Sequence, residues 1–190
     1  MERIRQHFET AVGHKLTDRD WQIFSSKITR QEFPKKHILL KTGQTEDFLS
    51  FVESGIIRFY IPKMDNDLTF GFVFADRFAS AYDSFLTRTP SSYQTETLAK
   101  TSLWRLHYKD LQAIYEQTGV GNKIGRFASE QLYLEKLNRE LSLLNETAEQ
   151  RYMKLFDRQP QLIREIPLKY IASYIGITPQ ALSRIRRRIY

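Results

Sequence analysis

The apolar positions follow three successive patterns. Over residues 1–31 they recur at helical spacing. Ile4, Phe8, Ala11 and Val12 share one face, and after the helix-start signal Thr17-Asp18-Arg19-Asp20 a second face carries Trp21, Phe24 and Ile28. Over residues 32–107 the pattern changes to short apolar runs cut by turn residues. Residues 38–40 precede Thr42-Gly43-Gln44, residues 48–52 precede Glu53-Ser54-Gly55, and residues 56–61 lead into Pro62 and the polar turn Asp65-Asn66-Asp67. Runs at 68–74, 94–98 and 102–106 complete a set of short strands that predicts a sandwich, jelly roll or barrel. From Tyr108 the spacing is helical again. A short helix runs to about Glu116, Gly119-Val120-Gly121-Asn122 breaks it, and residues 126–144 follow without Pro or Gly.

That long run carries a stripe. Phe127, Leu134 and Leu141 step by seven, with Leu137 and Leu144 beside them, while Gln131 and Asn138 interrupt the seam. Such a stripe packs against its own chain or against the same helix of a second subunit. The second option is the reading adopted, because a symmetric pair would supply a two-fold axis. Past Asn145, Thr147-Ala148-Glu149-Gln150 fits a capping box, and the helix it opens ends before Pro160.

Residues 166–188 hold the sharpest signal, a helix-turn-helix. Pro167 suits a first helical turn, and Ile171, Ala172 and Ile175 form an inner face, with Ala172 small enough for close helix crossing. Gly176 suits the tight turn, Ile177 plugs it, Thr178 is a good N-cap and Pro179 a good first helical residue. In the second helix Leu182 and Ile185 face inward, so Gln180, Ser183, Arg184 and Arg187 face outward, where a major groove could lie.

Charge strengthens this picture. The net charge is +7, and residues 146–190 hold nine basic against four acidic side chains. A basic end segment suits a polyanion, since each neutralised phosphate releases counterions. There is no cysteine, which excludes disulfides, thiolate zinc or iron–sulfur sites and a thiol nucleophile. No signal peptide and no membrane-spanning segment is read, so a cytoplasmic protein is expected.

Taken together, these residues resemble the Crp/Fnr superfamily of bacterial transcription regulators over nearly the whole chain. Lys41-Thr42-Gly43-Gln44 with Phe51-Val52-Glu53-Ser54-Gly55-Ile56-Ile57-Arg58 looks like that family's β-roll, and residues 102–111 look like its last strand running into the next helix. Residues 177–186 are similar to the ends of its compact members. The implied fold class is α+β: an N-terminal jelly-roll domain of the cyclic-nucleotide-binding type at 1–116, a dimerisation helix at 117–145 (Phe127, Leu134, Leu137, Leu141, Leu144) and a helix-turn-helix at 146–190. The resemblance implies a homodimer on promoter double-stranded DNA, with RNA polymerase as a further partner. DNA contacts would come from Lys169, Thr178, Gln180, Ser183, Arg184, Arg186, Arg187 and Arg188, with Gln180 suited to adenine and Arg184 to guanine.

The chain departs from the family in two places. Cyclic-AMP binders carry Gly-Glu for the ribose and Arg-Ser-Ala for the cyclic phosphate; here the Glu position is Ala81 and the Arg position is Ser91. A buried phosphate needs a paired cation. No cofactor is therefore assigned, cyclic AMP is not expected to bind in the usual way, and Arg88 or Arg77 is the substitute cation to check. The candidate effector pocket comprises Phe70, Phe72, Phe78, Ser80, Ala81, Tyr82, Arg88, Ser91, Ser92 and Tyr93, with the ordinary core as the alternative role for its aromatics. The family's β-hairpin wing would follow the second helix, and the sequence given stops at Tyr190, so the likeness is to the compact form lacking the wing, natural or truncated.

An enzyme is not expected. The histidines His7, His14, His37 and His107 are scattered, His37 with His107 is a thin basis for a metal site, and no Walker loop, Gly-x-Ser-x-Gly or Rossmann glycines occur. A second reading stays open: a ligand-sensing β-roll whose helical tail docks a protein partner.

Overall fold

The computed structural model describes residues 1–189, Arg158 by its backbone alone; Tyr190, the last residue of the third expected segment, lies outside them. In chain order the elements are α1 (Glu2–Val12), α2 (Asp18–Lys27), β1 (Ile28–Phe33), β2 (Ile38–Leu40), β3 (Phe48–Ser54), β4 (Ile57–Ile61), β5 (Leu68–Val73), β6 (Phe78–Ala79), α3 (Tyr82–Thr87), β7 (Gln94–Thr97), β8 (Thr101–His107) and α4 (Tyr108–Gln117). The long helix α5 (Gly121–Asn145) follows, then α6 (Ala148–Arg158), α7 (Pro160–Glu165), α8 (Leu168–Tyr174) and α9 (Pro179–Ile189). Among the described residues no helix is long and apolar enough to cross a membrane.

The strands form two four-stranded sheets, ordered β1-β8-β3-β6 and β2-β7-β4-β5. Apart from the adjacent pair β4 and β5, consecutive strands lie in different sheets, so the chain alternates between the sheets as in a β-roll rather than a meander. Gly55, between β3 and β4, has φ +97, and a Cβ there would lie 2.3 Å from the Thr101 hydroxyl oxygen, so only glycine fits the corner.

Compactness divides the chain into two units. The first comprises residues 1–59 and 72–131; the second comprises residues 60–71 and the chain from Leu132 onward. The first unit's core joins the helical faces of Ile4, Phe8 and Val12 to Phe24, Phe51, Phe85, Leu106, Leu111, Ile114 and Ile124. Burial of such side chains, each about 1.5–3 kcal/mol, is what holds α1, α2 and α4 to the β1-β8-β3-β6 sheet. The second unit has its own buried set, including Tyr152, Leu162, Ile171, Ala172, Ile175, Leu182 and Ile185. The division falls inside α5, between Gln131 and Leu132, whereas the sequence segmentation treats that helix as a piece by itself.

Two local expectations are corrected. Ile28 does not extend the second helix: it opens β1, which pairs antiparallel with β8 from Ile28↔Leu106 to Phe33↔Thr101. Ile28-Thr29 is β-branched, and a free strand edge on β8 offers a ladder that outweighs one more helical turn. The break before the long helix is also shorter than expected. Gly121 is already helical because the Thr118 hydroxyl accepts its N–H at 3.0 Å.

Candidate nucleic-acid interface and sensor region

The C-terminal helix pair is built from local rules. α8 ends where Gly176 takes φ +82, and the turn closes through Gly176 N–H to Ser173 C=O (3.1 Å) and Ile177 N–H to Ala172 C=O (3.0 Å). Thr178 then caps α9, its hydroxyl accepting Ala181 N–H at 3.2 Å and its carbonyl accepting Leu182 N–H at 3.0 Å. Leu182 and Ile185 are buried, and Pro179 opens the helix as expected.

That burial fixes what α9 shows to solvent. At 100° per residue, positions 180, 183, 184, 187 and 188 fall on the side opposite Leu182 and Ile185. Gln180, Ser183, Arg184, Arg187 and Arg188 are all exposed. Arg184 makes no hydrogen bond or ion pair with any described residue. Among the described residues Arg187 bonds within its own helix, at the Ser183 carbonyl (3.5 Å). Arg188 pairs with Glu149 at 2.9 Å, both largely exposed, so the pair is screened and weak. Arg186 lies at the border of the face, half-buried, with its Nε buried and unbonded among the described residues. Lys169 is exposed on α8, its Nζ 5.0 Å from the Tyr170 ring centre.

Three residues that sequence reasoning passed over hold α8. The Arg139 guanidinium donates to Tyr174 C=O (2.8 Å) and lies 4.0 Å from the Tyr174 ring centre. Arg151 donates through Nε to Ile175 C=O (2.9 Å) and through Nη1 to Glu146 C=O. Ser173 bridges α8 to the 60–71 hairpin, donating to Asp67 C=O and accepting Thr69 N–H, each at 2.8 Å. Burial pulls the Arg139 pKa below the ordinary guanidinium value. No sequence pattern marks these contacts, because their partners lie 24 to 106 positions away.

The long helix leaves its stripe open. Phe127, Leu134, Leu141 and Leu144 are 37%, 49%, 45% and 74% exposed, with Leu137 intermediate beside them. Tyr133 and Leu143, not singled out by the heptad reading, are exposed as well.

In the sensor region the expected pocket residues separate into groups. Ser80, Ala81, Tyr82, Arg88, Ser91, Ser92 and Tyr93 gather around α3, a helix the sequence did not announce. Phe78 stacks on Phe8 (5.8 Å) and meets Phe51 edge-on (5.1 Å), so it is a core residue. Phe70 belongs to the second unit, where Lys136 Nζ lies 5.6 Å from its ring, and Phe72 belongs to the first. Arg88 is held by protein oxygens through both terminal nitrogens. Its Nη1 donates to the Glu46 and Phe85 carbonyls, its Nη2 pairs with Asp47, and it lies 4.3 Å from the Tyr108 ring centre. Ser91 is buried; its hydroxyl donates to Tyr93 C=O and accepts Tyr93 N–H, and its own N–H goes to Gln44 C=O. The Tyr93 hydroxyl donates to Asp83, and burial raises its pKa above the ordinary phenol value. The histidines serve structure: His107 Nδ1 caps α4 at Lys109 N–H, and His37 lies 5.0 Å from the Phe33 ring. Among the described residues no cluster of three or more His, Asp or Glu could hold a metal ion.

Comparison with known proteins gives three results. Residues 30–118 match the family model described as "Cyclic nucleotide-binding domain". No curated protein matches the sequence. Solved structures match nearly all of it in fold. A putative transcriptional regulator of the Crp/Fnr family from Eubacterium rectale is 14% identical, with TM-score 0.72 over 92% of this chain and 83% of that one. CLP of Xanthomonas campestris, described as a c-di-GMP responsive global regulator, is 16% identical, with TM-score 0.68 over 91% of each chain. A mutant of CooA from Carboxydothermus hydrogenoformans is 18% identical, with TM-score 0.68 over 95% and 82%.

Proposed function

We propose that this chain is a DNA-binding transcription regulator of the Crp/Fnr type: residues 30–118 match the model of a cyclic nucleotide-binding domain, and solved structures of such regulators share its fold over most of its length. Helix α9 is the reading helix of a helix-turn-helix. The single observation that carries this is the arrangement of α9, with Leu182 and Ile185 buried and Gln180, Ser183, Arg184 and Arg187 exposed on the opposite side. Arg184, exposed and without a hydrogen bond or ion pair among the described residues, suits the bidentate edge of guanine, and Gln180, one turn before it, suits adenine. Thr178, Arg186, Arg187, Arg188 and Lys169 supply phosphate contacts; the Arg188–Glu149 pair is weak enough to open toward a phosphate.

The working unit is a homodimer through α5. An exposed apolar stripe over two heptads is covered when a second copy of the helix lies against it, and the two-fold axis then matches a pair of half-sites. RNA polymerase is the further partner of such a regulator, and a cytoplasmic location follows from the role.

The β-roll does not hold a cyclic nucleotide in the usual way. The residues around α3 do not fit the cyclic phosphate: the position expected to carry arginine is the buried Ser91, and the neighbouring Arg88 spends its donors on protein oxygens. A buried phosphate without a paired cation costs about 3–5 kcal/mol relative to a paired one.

The test is selection of duplexes from a randomised pool by the full chain, followed by titration of the selected duplex over a salt series. A reader shows a steep salt slope and a sequence preference. Arg184→Ala is expected to cost about 1–3 kcal/mol on the selected duplex and to relax the preference at one base pair in each half-site. Equal losses on selected and random DNA would remove Arg184 from base reading. Absence of any sequence preference would turn the assignment to a tail that docks a protein partner.

A further inference from the structure

α8 has seven residues, too few to hold a direction by itself, and the turn at Gly176 leaves its last carbonyls open. Both are taken by guanidinium groups from elsewhere in the second unit. Arg139, inside α5, donates to Tyr174 C=O, and Arg151, inside α6, donates to Ile175 C=O. Arg151 also reaches Glu146 C=O, so one side chain joins the end of α5 to the end of α8. The turn itself lies on the same ground: from the place a Gly176 Cβ would occupy, Leu143 Cδ2 is 3.7 Å away and Arg151 Nη2 is 3.8 Å away.

Two features go beyond ordinary end-capping. Arg139 combines a hydrogen bond to Tyr174 C=O with stacking on the Tyr174 ring, which fixes rotation as well as distance and which a lysine cannot reproduce. Arg139, Leu143 and Glu146 also recur at i, i+4 and i+7, so they form one strip along α5. At 100° per residue that strip lies roughly opposite the exposed stripe of Leu134, Leu141 and Leu144. One face of α5 therefore grips α8, and the other is the face open to a second copy.

We propose that Arg139 and Arg151 are positioning residues, setting the angle between the exposed stripe of α5 and the reading helix α9, and through it the half-site spacing that a pair of chains accepts. The inference rests on the reading of α9 as a DNA-reading helix. Insertion of one base pair turns a half-site by about 35°, so a clamped pair rejects the altered spacing and a loosened pair tolerates it.

The experiment has two arms and uses the full chain with Arg139→Met, Arg151→Met and Arg139→Lys. In the first arm, wild type and variants bind the pool-selected duplex and the same duplex with one base pair added or removed between half-sites. The wild type is expected to discriminate by about ten-fold or more, the methionine variants by less than about three-fold, and the lysine variant to fall between, with the preference at the Arg184 base pair kept. A uniform loss on every spacing overturns the proposal. The second arm needs no DNA. The chain lacks cysteine, so Glu140→Cys with Gln180→Cys gives a unique pair for spin labels, diluted in unlabelled chain. The distance distribution is expected to be narrow in the wild type and clearly broader in the methionine variants; equal widths overturn the proposal. Failure of the wild type to select any sequence would sink the DNA reading, while the label distances still decide the clamp. Loss of the helical circular-dichroism signal in all three variants would make the pair part of the fold and also overturn it.

Discussion

Glu46 shows how much one side chain can report. It is buried between β2 and β3, with its carboxylate accepting Phe48 N–H (3.0 Å) and, more distantly, Ala81 N–H (3.5 Å). Its own N–H goes to the Ser84 hydroxyl, and the charges facing it are Arg105, Arg88 on its carbonyl and Asp47 alongside. Burial raises its pKa above the ordinary 4.5, with the backbone hydrogen bonds and Arg105 opposing. The folded state then holds a proton that the unfolded chain has lost, so this residue's contribution is complete below about 4.5 and falls as pH rises through the raised value. Glu46→Gln is expected to flatten the stability–pH curve in that window, measured as Tm from pH 4 to 8. A variant with the wild-type curve would show that folding leaves the Glu46 carboxyl unshifted.

Among the elements, α5 makes the firmest claim on a partner. Leu134→Glu with Leu141→Glu places charge on the stripe without touching Arg139 or Leu143. Sedimentation is expected to give a dimer for the wild type and a monomer with unchanged helix content for the variant; a monomeric wild type at micromolar concentration would dismiss the seam. What the sequence revealed at this scale depended on range. The Thr147/Gln150 capping box appears with both of its hydrogen bonds, because it needs only four consecutive residues. The strand runs at 38–40, 48–52 and 68–74 emerge as β2, β3 and β5 for the same reason. α3 and α7 are six residues each and neither has a side-chain cap, so nothing announced them. Ile28 went astray because helix and strand both accept an apolar residue there, and the deciding partner, Leu106, is 78 positions away.

At the scale of the whole molecule, the outward face of the proposed reading helix was legible in the sequence and the contacts of the β-roll were not. The outward face of α9 followed from the sequence because turn, cap and apolar face are all local. The partners of Ser91 and Arg88 did not, since Gln44, Glu46 and Asp47 lie more than forty positions earlier in the chain. A ligand at about 100 times its Kd stabilises its host by about 2.7 kcal/mol, a shift of several degrees. Cyclic AMP at millimolar concentration is expected to leave Tm unchanged; an upward shift would show that other residues supply the phosphate site.

One consequence concerns how the protein can be taken apart. Residues 60–71, the end of β4, the turn and the start of β5, cluster with the C-terminal helices, and the Ser173 hydroxyl ties them there through Asp67 and Thr69. No single scissor cut separates the halves cleanly. A fragment beginning at Leu132 would lack the ribbon that bonds its Ser173, and its complement would carry that ribbon without the Ser173 contacts. Exchanging the β-roll between relatives by splicing inside the long helix would meet the same obstacle unless residues 60–71 travelled with the C-terminal helices.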